Sequence, residues 1–148
     1  MRTLAIDYGT VRVGLAMSDE GARFATPHDV LTVSSPEQAM NQVLQIVSEE
    51  HVQRLVIGLP LNMDGSIGPQ ARKTIEWGES VGKRSGKPVV FVDERLSSFA
   101  AEQDLNDRKR GGEKITRKRR KEQLDALAAA GFLQAFLDGK LAAIDIPK

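Results

Sequence analysis

The chain has no cysteine and only two histidines, His28 and His51, among its 148 residues. A disulfide framework and a thiolate metal centre are therefore excluded, and a zinc site of the usual nitrogen and sulfur kind is not expected. Aromatic residues make up 5% of the chain, and none lies in its most basic stretch, so stacking on nucleobases is not expected there. Long apolar runs are missing too. Leu4-Ala5-Ile6 is interrupted by Asp7, too soon for a signal peptide or a membrane span. The expectation is a cytoplasmic protein with no membrane partner. Hydrophobic residues at 41% and charged residues at 28% suit a soluble globular protein, and the length suits one domain over residues 1–148.

The formal net charge of +1 conceals a strong asymmetry. Residues 108–121 hold nine basic residues and one acid, Glu113, a local charge of +8, so the remainder carries −7. Such a segment suits a polyanion, with phosphate contact rather than base readout as its mode.

Three carboxylates stand where an acid is awkward: Asp7, Glu94 and Asp125. Asp7 ends the first apolar run. Glu94 follows Val89-Val90-Phe91-Val92, with Asp93 between. Asp125 falls within a helical apolar arc of Leu124, Leu127, Ala128, Gly131, Phe132, Ala135 and Phe136, taken at about 100° per residue. A buried carboxylate is costly unless paired, protonated or bound to a cation. Three that converge would repel one another, so they suggest an oxygen-ligand site for Mg²⁺ or Mn²⁺. Strand alternation places Asp93 and Glu94 on opposite faces, both flanked by apolar residues, and leaves the choice between them open.

The pattern along the chain begins with an antiparallel meander. A first strand runs over Met1 to Asp7, a second alternates through Val11, Val13, Leu15 and Met17, and a third covers Phe24 to Val33, interrupted by Pro27. Ser35-Pro36-Glu37 opens a helix, with Gln38 completing a capping box. Leu55-Val56-Ile57 is a short buried strand. A helix from about Pro69 to Ser85 stops at Gly86, and Val89 to Val92 is the next buried strand. Ser97 or Ser98 caps a helix toward Leu105, residues 107–116 form a loop, and a final helix covers about Arg117 to Asp138. The expected fold is α/β, a mixed five-stranded sheet of three antiparallel and then parallel strands with helices on both faces. Ligands of such sheets bind beyond the carboxyl ends of the parallel strands, and the last helix is expected to pack across that edge.

Four stretches, in order along nearly the whole chain, resemble the YqgF or RuvX family of the ribonuclease H-like superfamily. They are Ile6-Asp7-Tyr8-Gly9-Thr10 with Arg12 and Gly14, Gly58-Leu59-Pro60-Leu61-Asn62-Met63-Asp64-Gly65, Val92-Asp93-Glu94-Arg95-Leu96-Ser97, and Asp125-Ala126-Leu127-Ala128-Ala129 with Leu133-Gln134. The resemblance implies an RNase H-like fold and a catalytic, metal-binding site at Asp7, Glu94 and Asp125. It selects Glu94 over Asp93, which is left as a hydrogen-bonding or capping residue. It also implies a nuclease that processes the precursor of small-subunit ribosomal RNA and leaves 5′-phosphate and 3′-hydroxyl ends. An older reading of the family implies Holliday-junction resolution.

In this scheme Arg12, Arg95 and the basic segment, chiefly Arg117, Lys118 and Arg120, orient substrate phosphates, while Asn62 and Asp64 shape a turn. Many members of the wider superfamily have a fourth acid near the helical one. Here Ala128 and Ala129 stand one turn beyond Asp125, which leaves one or two metals open. The expected partner is nucleic acid, structured precursor RNA or branched DNA, bound by a monomer or a homodimer. A phosphotransferase of the actin and sugar-kinase type shares Asp-x-Gly-Thr but needs two such domains, and no P-loop is present. A non-catalytic RNA-binding assembly factor is the reading from outside enzymology.

Overall fold

The computed structural model describes residues 1–95 and 117–146, with only the backbone described over 117–123. The elements are β1 (Thr3–Tyr8), β2 (Arg12–Ser18), β3 (Ala25–Thr32), α1 (Pro36–Glu49), β4 (Arg54–Leu59), α2 (Pro69–Ser85), β5 (Val89–Asp93) and α3 (Arg117–Leu137). The strands form one sheet in the order β3-β2-β1-β4-β5. The β1–β2 and β2–β3 pairs are antiparallel, and β1–β4 and β4–β5 are parallel. This is the expected mixed five-stranded α/β fold. The expected helix after Ser97 or Ser98 and the loop 107–116 lie outside the described residues.

Local signals account for the element boundaries. Ser35 caps α1 by accepting the Gln38 amide at 3.1 Å. The Gln38 side chain reaches back to the Ser34 amide at 2.6 Å, one residue earlier than a capping box requires. Pro69 opens α2, and Gly86 closes it at φ 73°, donating to Gly82. Pro27 is tolerated because β3 is an edge strand, where its missing N–H breaks no ladder.

The two faces of the sheet differ in side-chain size, and that difference decides where the helices go. Leu4, Ile6, Val13, Leu15, Leu55 and Ile57 point to one face and pack with Val43 of α1 and Trp77 and Val81 of α2. The other face offers Ala5, Ala16, Val56 and Val92, against which Ala129, Phe132 and Leu133 of α3 are buried. Small residues let α3 lie close to the strands, and burying Phe132 and Leu133 contributes about 1.5–3 kcal/mol each. The final helix thus covers the face over β1, β2 and β3, and its Asp125 lies at the carboxyl end of β1, against Gly14. Gln134 fixes its position by accepting from the Ala25 amide at 2.8 Å and donating to the Arg23 carbonyl at 2.9 Å. Beyond α3 the chain returns along β5, where the Ile144 amide donates to the Phe91 carbonyl at 2.7 Å. No helix among the described residues is long and apolar enough to cross a membrane.

Candidate active site

Asp7 shares its strand face with Ala5, so it points toward α3. Its register partner on β2 is Gly14. On β4, Ile57 pairs with Ile6, which brings Gly58 beside Asp7. Both glycines are required by close approach. A Cβ on Gly14 would land on the backbone carbonyl of Asp125. A Cβ on Gly58 would stand 2.7 Å from the Phe132 ring and 2.8 Å from a Glu94 carboxylate oxygen. The missing side chains on either side of Asp7 are the space in which Glu94 and the Asp125 turn sit. Behind Asp7, on the opposite face, Tyr8 stacks on Trp77 with ring centroids 4.2 Å apart and braces the end of β1.

The structure brings the three predicted carboxylates to one place. Glu94 follows β5, and its amide approaches the Leu59 carbonyl at 3.4 Å. Its side chain hydrogen-bonds that of Asp7. Burial, reinforced by the Asp7 charge, pushes the Glu94 carboxyl up to about 9. Burial also raises Asp7, opposed by the Glu94 hydrogen bond and assisted by the charge of Asp125. Burial and mutual repulsion thus favour protonation of the pair, most strongly at Glu94.

Asp125 is held differently. Its Oδ2 accepts from Arg12 Nε at 2.7 Å, and both side chains remain partly exposed. Asp125 shares a helical stripe with Phe132 and Phe136, as expected, and also with Ala129, which the expected arc did not include. The most buried residues of the helix are nevertheless Ala129, Phe132 and Leu133 rather than Leu124, Leu127 and Ala135, because the sheet meets the helix slightly around from the predicted arc. Among the described residues, no three acidic or histidine side chains are gathered tightly enough to close on a single ion as they stand.

Arg95 is held by its neighbours. Its Nε and Nη2 engage Asp93, the latter at 2.7 Å, and its Nη1 donates to the carbonyls of Asn62 and Met63 at 2.8 and 3.0 Å. In this geometry Arg95 holds the loop after β4. Asp93 is a hydrogen-bonding residue, its carboxyl held below the usual range by Arg95. Asn62 and Asp64 shape the turn as expected: Asn62 donates to the Ser66 hydroxyl at 2.9 Å, and Asp64 accepts from the Ser66 amide at 2.9 Å. Arg117, Lys118 and Arg120 lie in the first turns of α3, about 12 Å of helix rise separating Arg117 from Asp125. Their side chains lie outside the described residues. The roles of Gly14 and Gly58 escaped the sequence reading, although an isolated glycine within a strand signals close backbone approach.

Residues 1–139 match the family model described as "RuvX: Holliday junction resolvase". A protein from Acidiphilium cryptum (strain JF-5) named "Putative pre-16S rRNA nuclease" is 39% identical over 93% of this chain and 84% of its own length. Another with that name, from Anaeromyxobacter sp. (strain K), is 41% identical over 93% of this chain and 97% of its own. In fold the chain is similar to the structure "T. thermophilus RuvC in complex with Holliday junction substrate", with a TM-score of 0.60 and 18% identity over 97% of this chain and 99% of that one. The fold and these relatives define the class, a hydrolytic nuclease with an RNase H-like fold. Within that class, the chain belongs to the RuvX family.

Proposed function

We propose that the chain is a metal-dependent nuclease that hydrolyses phosphodiester bonds of structured RNA, maturing the 5′ end of precursor 16S ribosomal RNA in the cytoplasm. The observation that carries this reading is the buried Asp7–Glu94 pair at the carboxyl ends of β1 and β5, with Asp125 close enough to raise the proton affinity of both. Buried like charges of this kind call for neutralisation, and an all-oxygen donor set without sulfur suits a hard divalent cation such as Mg²⁺ or Mn²⁺. Asp7 and Glu94 would hold the ion, with Asp125 completing the set. When bound, it would lower the pKa of a coordinated water and stabilise charge on the reacting phosphate.

The chain's own residues supply positioning. The glycines flanking Asp7 keep the floor of the site open, while Phe132 and the packed helix exclude water from its rear. Arg12 stands at the rim, its remaining guanidinium nitrogens available to a phosphate oxygen. Arg117, Lys118 and Arg120 would draw the substrate backbone toward the same end of the sheet. The RNA assignment is supported by the names of the curated relatives. Branched DNA is the second reading, favoured by the family description.

The test is end-mapped cleavage of precursor ribosomal RNA beside a synthetic four-way DNA junction, with Mg²⁺ or Mn²⁺ and with chelator, using the full chain and Asp7→Asn. The expected result is metal-dependent RNA products with 5′-phosphate ends, absent in Asp7→Asn. Cleavage of the junction alone would move the assignment to a resolvase. RNA binding by both proteins with no cleavage by either would favour an assembly factor.

A further inference from the structure

Met63 is completely exposed at the tip of the loop that follows β4. A lone exposed apolar side chain is ordinary on a protein surface, and what sets this one apart is the backbone beneath it. The Asn62 amide donates to the Ser66 carbonyl at 3.0 Å, and the Gly65 amide donates to the Asn62 carbonyl at 2.8 Å. Gly65 takes φ 86°, which an L side chain would resist. Arg95 then fastens the tip from below through the Asn62 and Met63 carbonyls, itself anchored on Asp93. Arg95 is the residue after Glu94. The strand end that delivers the catalytic carboxylate thus also fixes the backbone of Met63.

The fastened loop holds this thioether in the open beside the candidate carboxylate site, where a bound substrate would meet it. The side chain has no charge and no strong hydrogen-bonding group, so it cannot read a base edge or hold a phosphate. It is unbranched and polarizable, and makes favourable contact with aromatic faces. Every nucleobase offers such a face, whatever the sequence. Apolar side chains of this kind act on nucleic acid as wedges, entering a base step and separating its bases. Among the described residues, Val11 is also exposed at the carboxylate end, in the turn between β1 and β2 beside Arg12.

We propose that Met63 inserts against a nucleobase next to the scissile phosphate, unstacking that base where it is paired, whereas a base that is already unstacked needs the wedge less. This rests on the nuclease reading above and extends its substrate to paired RNA whose base step at the cleavage position the wedge can open. Arg95 is the positioning residue for the wedge.

Two RNAs of identical sequence around the cleavage position test this, one paired there and one held in a bulge, each carrying 2-aminopurine beside the scissile phosphate. The full chain, Met63→Ala and Met63→Leu are compared for binding, 2-aminopurine fluorescence and cleavage. Full-length protein should raise the fluorescence of the paired RNA. Met63→Ala should lose that rise and cleave the paired RNA about tenfold more slowly, while its cleavage of the bulged RNA changes less than about twofold. Met63→Leu should restore much of both signals. Fluorescence and cleavage unchanged in Met63→Ala on both RNAs would overturn the proposal, as would a failure of the chain to bind either RNA. Fluorescence that depends on Met63 with no cleavage of any substrate would uphold the wedge and overturn the nuclease reading. Cleavage without any fluorescence change would do the reverse.

Discussion

Arg12 donates through Nε to Asp125 at 2.7 Å, a pair that joins β2 to α3 across 113 residues of chain. It ties the only candidate ligand carried by a helix, among the described residues, to the strand beside Asp7. The pair is partly exposed, so its worth to stability is modest, about 0.5–1 kcal/mol. Its consequence for chemistry is larger, because the guanidinium draws on a carboxylate that a cation would also seek. Arg12→Gln should cost little in thermal stability and should tighten binding of Mg²⁺ or Mn²⁺ measured by calorimetry without RNA. The same change should weaken RNA binding and slow cleavage. Weaker metal binding in Arg12→Gln would show that Arg12 supports the ligand set instead of competing for it.

Gly14 and Gly58 bear on the site through space, and a methyl group is enough to test each. Gly14→Ala places its Cβ on the backbone of Asp125, which cannot move without shifting α3. The expected loss is about 1–3 kcal/mol of stability or somewhat more, with cleavage nearly abolished. Gly58→Ala meets the Phe132 ring and the Glu94 side chain, which can give way more easily. Its cost in stability should be smaller and its effect on cleavage still severe, because Glu94 is what moves. Chemical denaturation and single-turnover cleavage separate the two effects. Equal, small losses of stability in both variants would contradict the close helix approach.

The Asp7–Glu94 pair predicts how stability follows pH when divalent cations are chelated. Glu94 has a folded-state value of about 9, well above its ordinary value of 4.5. Between those values the unfolded chain loses the proton that the folded chain keeps, so the folded state binds more protons and stability falls as pH rises. The contribution is complete below about pH 4.5 and is lost by the time pH passes 9. The melting temperature in chelator should therefore decline across that window because of this group, and Glu94→Gln should flatten the decline. Added Mg²⁺ should offset it at the alkaline end, where the carboxylates are ionised and bind best. A profile identical in Glu94→Gln and the unaltered chain would refute the raised proton affinity of Glu94.

Much of this architecture was legible in short-range pattern. The alternation of Val13, Leu15 and Met17 marks a strand with one apolar face, and Pro69 with Gly86 brackets α2 to the residue. The last helix was legible as a stripe of small and aromatic residues interrupted by an acid. What was not legible depends on encounters between distant segments. Nothing near Arg12 in the sequence announces Asp125, and nothing near Gly14 says that a helix backbone will rest on it. Arg95 reads as a free cation until Asp93 and the carbonyls of Asn62 and Met63 are seen around it. Which face the helix covers was not legible for a related reason. Alternation tells which residues share a face, but comparing Ala5, Ala16 and Val56 with Leu4, Leu15 and Ile57 across strands is what shows which face admits a close helix.

The basic start of α3 makes the final prediction. Arg117, Lys118 and Arg120 lie within the segment that carries a charge of +8 against −7 for the remainder. They lie in the first turns of α3, N-terminal to Asp125, where a substrate backbone would approach the carboxylates. Contacts of that kind release counterions and carry no sequence information. Replacing all three by glutamine should therefore weaken binding of every RNA tested by a similar factor. Each lost phosphate contact should flatten the plot of log affinity against log salt by about 0.7 for a single strand. Cleavage at saturating RNA should fall much less than affinity, because the carboxylates and the Met63 loop are untouched. Filter binding at several salt concentrations, paired with single-turnover cleavage, measures both quantities. An unchanged salt slope would mean that the helix start is only a solvated surface, and that the polyanion is drawn in by other parts of the chain.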